Sequence, residues 1–208
     1  MKVLILLSGG VESTALIKHG LSEKTKDYYK VNNIEVECLH VCYSRKLKGT
    51  RTGQELVQSK KICDHYGVKL WTFIRDMGDF EVQYPKVVRD ALIWFSDAII
   101  VAAAGDFDEV WFGNHADDNY GLMRQLYGMW QIQSEATFNR KPPRLRSPLR
   151  LVRKLDQWNS IPEVHDLVKT CTKINDDSNG KCGECMKCKE FDWYINQGKK
   201  EMFHGSCM

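Results

Sequence analysis

Three short stretches of this 208-residue chain carry residue types at spacings that could do chemistry. The first is Ser8-Gly9-Gly10-Val11-Glu12-Ser13-Thr14, directly after an apolar run. Two adjacent glycines allow a tight turn whose backbone N–H groups converge on an anion. A helix starting there adds the partial positive charge of its N-terminus, and Ser8, Ser13 and Thr14 add hydroxyl donors. That is phosphate-binding chemistry; the plainer reading is a strand–helix turn with a serine cap. The stretch is neither G-x-x-x-x-G-K-[ST] nor G-x-G-x-x-G. The second is Gly113-Asn114-His115-Ala116-Asp117-Asp118-Asn119. The adjacent carboxylates of Asp117 and Asp118 suit Mg2+, which takes hard oxygen ligands, or else they favour the start of a helix. The third lies in the C-terminal quarter, where Cys171 is followed, after ten intervening residues, by Cys182-Gly183-Glu184-Cys185-Met186-Lys187-Cys188. Four thiolates make a closed tetrahedral zinc site of structural kind, and Gly183 permits the tight knuckle turn. An iron–sulfur cluster is the rival, but the ferredoxin run puts its fourth Cys just downstream before Pro, whereas Lys189-Glu190 follows Cys188.

The elements that must position these residues read as alternating strands and helices. Val3–Leu7 is a continuous apolar run, as in a parallel strand covered on both faces. Glu12–Leu21 follows as a helix that stops near Gly20, then Glu35–Tyr43 as a strand and Gly53–Tyr66 as a helix. Val68–Ile74 reads as the third strand, Val87–Ala104 as a buried helix, Glu109–Gly113 as the fourth strand, and Tyr120–Phe138 as a helix. The alternation predicts an α/β fold with a doubly wound, mainly parallel sheet. Such sheets bind ligands beyond the carboxyl ends of their strands, where the strand order reverses. The first two motifs fall on that rim. Arg140–Lys154 differs: Pro142, Pro143 and Pro148 interrupt it, and it carries seven Arg or Lys residues without an acid. It reads as an irregular segment joining an α/β domain over 1–150 to a C-terminal helical segment over 151–208, which holds the four cysteines and packs on the same domain.

Composition narrows the classes. With 43% hydrophobic and 27% charged residues the chain is ordinary globular material, and a net charge of +3 is too mild to imply nucleic-acid binding by itself. No apolar run reaches the ~18 residues needed to span a bilayer. Val3–Leu7 is too short for a signal-peptide core and ends in Ser-Gly-Gly without a small-residue cleavage site. A cytoplasmic location is expected, and there clustered thiols favour a metal over disulfides. Cys38, Cys42 and Cys63 sit in apolar patterns and read as small buried hydrophobes; Cys207 reads as a free thiol. Trp71, Trp94, Trp111 and Trp130 read as core, and His40 as a strand-face histidine rather than a base. Arg45, Lys46, Lys48 and Arg51 follow the second strand on the same rim, either as a solvated loop or as balance for phosphate or carboxylate charge.

Ser8–Thr14 resembles the SGGxDS loop of the PP-loop ATP pyrophosphatases, which cleave ATP to AMP and pyrophosphate and activate a carboxylate or carbonyl as an adenylate. Glu12 stands where that loop has Asp. Gly113–Asp118 resembles both the G-x-H-x-D-D motif of PP-loop tRNA-modifying enzymes and the G-x-N-x-x-D stretch of 7-cyano-7-deazaguanine synthases. Arg89-Asp90 through Ser96 is similar to the R-N-x-x-x-x-x-S helix of the synthases, and Ser147-Pro148-Leu149 with Lys154 to their Pro-Leu and Lys segment. Together with C…C-G-x-C-x-x-C, the chain resembles a divergent 7-cyano-7-deazaguanine synthase. The departures are Glu12, Asp90, the wide gap after Cys171, and Leu122-Met123-Arg124-Gln125 in place of Y-P-D-C. The resemblance implies ATP with Mg2+ held by Ser8, Gly9, Gly10, Glu12, Ser13, Thr14 and Asp117, with Asp118, Lys154 and Arg89 as catalytic candidates. It implies structural zinc on Cys171, Cys182, Cys185 and Cys188, and a homodimer. The small-molecule substrates would be 7-carboxy-7-deazaguanine and ammonia; adenylation and amidation would be followed by a second, ATP-dependent dehydration to the nitrile. Three rivals stand beside it. One is a PP-loop tRNA-modifying enzyme, supported by His115–Asp118 and the basic stretch. Another is a relative that attaches the deazaguanine to a macromolecular acceptor such as a protein amine. The last is a nucleotide-binding module that has lost turnover through Glu12.

Overall fold

Val3, Leu4 and Ile5 are all fully buried, so successive side chains of the first strand are covered on both faces. The computed structural model describes residues 1–42, 51–75, 90–116, 120–138, 142–168, 183–185, 188–193 and 196, with backbone alone at 51–52, 90–93 and 120–123. Strand β1 (Lys2–Leu6) is the centre of a five-stranded sheet with β2 (Glu35–Cys42), β3 (Lys69–Ile74), β4 (Glu109–Phe112) and β5 (Arg144–Arg146). All four pairings are parallel, in the order β3-β2-β1-β4-β5. In register, Ile5 faces Cys38 on one side and Trp111 on the other.

The helices are α1 (Val11–Leu21), α2 (Glu23–Tyr29), α3 (Arg51–Tyr66), α4 (Asp90–Gly105), α5 (Tyr120–Thr137) and α6 (Lys154–Asn159). Val3, Ile5 and Leu7 join Leu16, Ile17, Ile62 and Cys63 in one core layer, beneath α1 and α3. Leu4 joins Phe95, Ala98, Leu126 and Trp130 in the other, beneath α4 and α5. Strand alternation thus assigns each side chain to a layer. The chain passes from β1 to β2 to β3 in one direction, and α4 then carries it back past β1 to β4. The order therefore reverses between β1 and β4, whose carboxyl ends lead into the first two motifs. A third cluster seats Ile161, Val164, Val168 and Phe191 against Val11 and Ala15 of α1.

The structure bears out the α/β fold and corrects three details. Arg144–Arg146 is an edge strand inside the segment read as irregular: Leu145 is buried against the sheet, and Trp130 Nε1 donates to Pro143 O at 3.0 Å. A three-residue alternation between prolines is too short to register as a strand. Helix α2 carries too few apolar residues to register in the sequence pattern; Ser22 caps it by accepting from Thr25 N at 3.4 Å, and Lys30 ends it at φ 53°. Helix α6 likewise begins in the basic stretch. Of the expected buried helix from Val87, residues 87–89 lie outside the described residues, as does Tyr43 of the second strand. Among the described residues no helix is long and apolar enough to cross a membrane.

Candidate functional site

After β1, Leu7 N donates to Leu39 O at 2.8 Å and carries the pairing to the start of the turn. Gly9 adopts φ +78°, a conformation that disfavours any side chain. Gly10 is extended and precedes α1 without a side-chain cap, which leaves the N–H groups of Val11, Glu12 and Ser13 without partners inside the helix. The hydroxyls shape the turn. Thr14 Oγ1 donates to Gly10 O at 2.7 Å and Ser13 Oγ to the same carbonyl at 3.3 Å; Ser8 and Ser13 Oγ lie 3.2 Å apart. Thr14 is fully buried, so its hydroxyl braces the turn from below. His40, read as a strand-face residue, is buried with Nδ1 2.8 Å from Leu7 O and 3.2 Å from Ser59 Oγ, beneath the same turn. Cys38, Cys42 and Cys63 are buried as expected, as are Trp111 and Trp130, while Trp71 and Trp94 are half-buried.

The loop after β4 closes on this turn at Gly113. A Cβ there would lie 2.7 Å from Ser13 N and 2.8 Å from the carbonyl carbon of Glu12, so the backbones meet at a distance that glycine alone allows. The approach brings His115 to α1: its Nε2 lies 3.6 Å from Glu12 Oε1. Lys154, the first residue of α6, places Nζ 3.0 Å from the same oxygen and 3.5 Å from Glu190 Oε1. Lys154 is 5% exposed, an ammonium kept from water by the two carboxylates it serves. Buried Gln157 fixes α6, its Nε2 reaching the carbonyls of Asn114, Leu149 and Val152 at 3.0, 3.1 and 3.0 Å. Ser147 Oγ donates to Asn114 Oδ1, and Ala116 N to Val152 O at 3.2 Å. An ammonium and an imidazole, both paired to Glu12, thus stand at an uncapped helix N-terminus, where backbone N–H groups can receive an anion.

The structure brings together Ser8, Gly9, Gly10, Glu12, Ser13, Thr14 and Lys154 of the expected set. Arg89, Asp117 and Asp118, the candidate cation and Mg2+ ligands, lie outside the described residues, as do Arg45, Lys46 and Lys48. Cys171 and Cys182 also lie outside them. Cys185 and Cys188 are buried on one turn, with Cys188 N donating to Cys185 Sγ at 3.4 Å and Gly183 at φ +74°. Backbone N–H donation to a cysteine sulfur and a left-handed glycine fit a metal knuckle. Among the described residues no group of three potential metal ligands assembles. Glu190 is the residue that sequence reasoning missed. It lies two positions beyond Cys188, and nothing in the pattern shows that this turn returns to Lys154.

No protein-family model and no curated protein matches the sequence. Among solved structures the chain resembles the U34-tRNA thiolase NcsA from Methanococcus maripaludis, determined with its [4Fe-4S] cluster. The TM-score is 0.55 at 18% identity, over 99% of this chain and 68% of the thiolase. A predicted subunit of a tRNA methyltransferase from Methanocaldococcus jannaschii aligns at a TM-score of 0.39 and 13% identity, over 72% of this chain and 70% of that one. The first shows the fold: this chain has the α/β architecture of that thiolase.

Proposed function

We propose that the chain is an adenylating enzyme of the PP-loop kind, which cleaves ATP to AMP and pyrophosphate to activate an oxygen on a nucleobase carried by tRNA. One observation carries the reading: Glu12 is held between Lys154 and His115 at the uncapped start of α1. The N–H groups of Val11, Glu12 and Ser13 and the Ser8 hydroxyl bind the departing pyrophosphate. Lys154 supplies a desolvated cation for phosphate charge, and Glu12 holds it in place until substrate arrives. The acceptor oxygen attacks the α-phosphorus, the bond from that phosphorus to the oxygen bridging to the β-phosphate breaks, and pyrophosphate leaves; a sulfur or amine nucleophile from a co-substrate then bonds the activated carbon and displaces AMP, which carries away the acceptor oxygen. Asp117, Asp118 and Glu12 are the residues that would hold Mg2+, which would neutralise phosphate charge. Four thiolates at Cys171, Cys182, Cys185 and Cys188 would hold a structural zinc. The likeness over nearly the whole chain to a U34-tRNA thiolase supports tRNA as the acceptor.

A second reading takes free 7-carboxy-7-deazaguanine and ammonia to the nitrile. The C-G-x-C-x-x-C spacing favours it, since Cys185 and Cys188 do share one turn. One assay separates the two: pyrophosphate release with ATP and Mg2+, in the presence of bulk tRNA or of 7-carboxy-7-deazaguanine with ammonium, followed by product mass. Release dependent on tRNA supports the first reading. Release only with the carboxylate transfers the function to the second, and a deazaguanine mass found on protein moves the acceptor to a macromolecular amine. No AMP with any acceptor would overturn both.

A further inference from the structure

Among the described residues β5 is one of the two edge strands of the sheet, and beside it lies a cavity of about 1020 Å3, walled by α2 on one face of the sheet and α5 on the other. That is the upper limit of the ~300–1,000 Å3 typical of small-molecule sites. Lys24, Arg144, Arg146 and Arg150 line it, and among its described lining residues there is no Asp or Glu. Arg146 is engaged from beneath by Glu109, at 2.8 Å from Nε, and lies 5.7 Å from the Tyr29 ring. Arg150 is hydrogen-bonded to the neutral Tyr127 side chain and so, with Lys24 and Arg144, keeps its charge for a ligand. Tyr28 stands at the rim 77% exposed, edge-on to Tyr29 with ring centroids 5.1 Å apart. One exposed ring beside cations, with no acid among the described lining residues, is chemistry suited to single-stranded nucleic acid: cations track phosphates and the ring stacks on a base.

We propose that this groove binds a single-stranded segment of RNA and leads it to the adenylation site. The proposal rests on the reading of a nucleic-acid acceptor and adds the surface that holds it. Continuity supports the direction: the groove wall includes Ser147 and Pro148, and Ser147 bonds Asn114, the neighbour of His115. Charge and ring exposure favour RNA over two competitors. A second copy pairing edge to edge about Leu145 would set Arg144 of each copy opposite Arg146 of the other, and like charges placed opposite repel. An acidic peptide would meet the cations but leave the exposed Tyr28 ring without a stacking partner.

The test uses the full chain and a fluorescein-labelled twelve-nucleotide RNA of mixed sequence, read by fluorescence anisotropy over a salt series, with poly-glutamate as competitor. Arg144→Gln/Arg150→Gln should weaken binding about tenfold or more and reduce the slope of log affinity against log salt by ~1.4, or ~0.7 for each phosphate no longer neutralised. Tyr28→Ala should weaken it roughly 5- to 100-fold with the slope unchanged, as removal of one stacked base requires. Arg144, Arg150 and Tyr28 are exposed, so melting temperatures should not move. Equal affinity and slope in the variants would overturn the proposal. So would competition by poly-glutamate at equal charge, or a dimer mass that disappears in the double variant while RNA binding persists. If AMP forms with an acceptor but RNA does not bind the groove, this inference falls and the proposed activity stands. If RNA binds as described but no acceptor yields AMP, the activity falls and the groove stands.

Discussion

Lys154 serves two carboxylates, and the geometry makes its loss and the loss of Glu12 unequal. At 3.0 Å the Lys154–Glu12 attraction is about 5.5 kcal/mol at an effective dielectric of 20, before desolvation is subtracted. Burying the ammonium offsets most of that, and the Glu12 side chain is 22% exposed, so a net coupling of ~1–2 kcal/mol is expected. Glu12→Gln leaves Lys154 with Glu190 at 3.5 Å and should cost ~1 kcal/mol of stability. Lys154→Met leaves two carboxylates around an apolar chain and should cost ~2–3 kcal/mol, below the ~3–5 of a fully buried pair because both acids reach water. Urea denaturation of wild type, the two single variants and the double variant gives the coupling directly. Turnover should separate the two residues further. Lys154→Met should lower AMP formation at least a hundredfold, ~2.7 kcal/mol of barrier, and Glu12→Ala about tenfold, with Glu12→Asp milder. Equal stability losses for the two single variants, or coupling below ~0.3 kcal/mol, would refute the shared-lysine geometry. Unchanged turnover in Glu12→Ala would leave Glu12 a helix-end acid worth ~0.3–1 kcal/mol.

Gly113→Ala should drive a methyl into the first turn of α1, costing ~2 kcal/mol and about 4–8 °C of melting temperature; an unchanged melting temperature would deny the close approach. Asp97 is fully buried and bonded to Arg75, and burial, only partly countered by that arginine, raises its carboxyl above the ordinary 3.8. Its folded state therefore holds a proton that the unfolded chain releases, so its contribution to stability falls as pH rises from 3.8 through the raised value. The stability of Asp97→Asn relative to wild type should grow with pH across that window in urea titrations; a shrinking difference would contradict the burial argument. Metal analysis should find about one zinc per chain, and Cys185→Ser should lose it along with thermal stability. Stoichiometric iron with a brown chromophore would replace the zinc assignment with a cluster.

The site is legible where chemistry is local in sequence. Val3–Leu7 reads as a two-sided strand because every position is apolar, and Ser8-Gly9-Gly10 as a turn because only glycine readily takes the backbone that Gly9 adopts. With β1 and β4 placed, their neighbourhood in a doubly wound sheet brings Ser8–Thr14 and Gly113–His115 to one rim. What no periodicity shows is the third dimension of the cluster. Lys154 stands out by resemblance alone, and its two partners are far apart in sequence, at Glu12 and Glu190. Gln157 looks like a polar residue in a short helix, yet it is buried and reaches three carbonyls. The edge strand is hidden for a different reason. Arg144 and Arg146 flank a single buried leucine, and charge at both ends of three residues reads as solvated chain until the sheet edge beside it is known.

Everything proposed for the turn after β1 depends on cleavage between the α- and β-phosphates of ATP. Phosphorus NMR of a reaction containing the protein, ATP, Mg2+ and the acceptor observes that bond choice without a coupling enzyme. AMP and pyrophosphate should rise in equal amounts, both greatly diminished in Lys154→Met. Acceptor-dependent appearance of ADP and inorganic phosphate instead would contradict it.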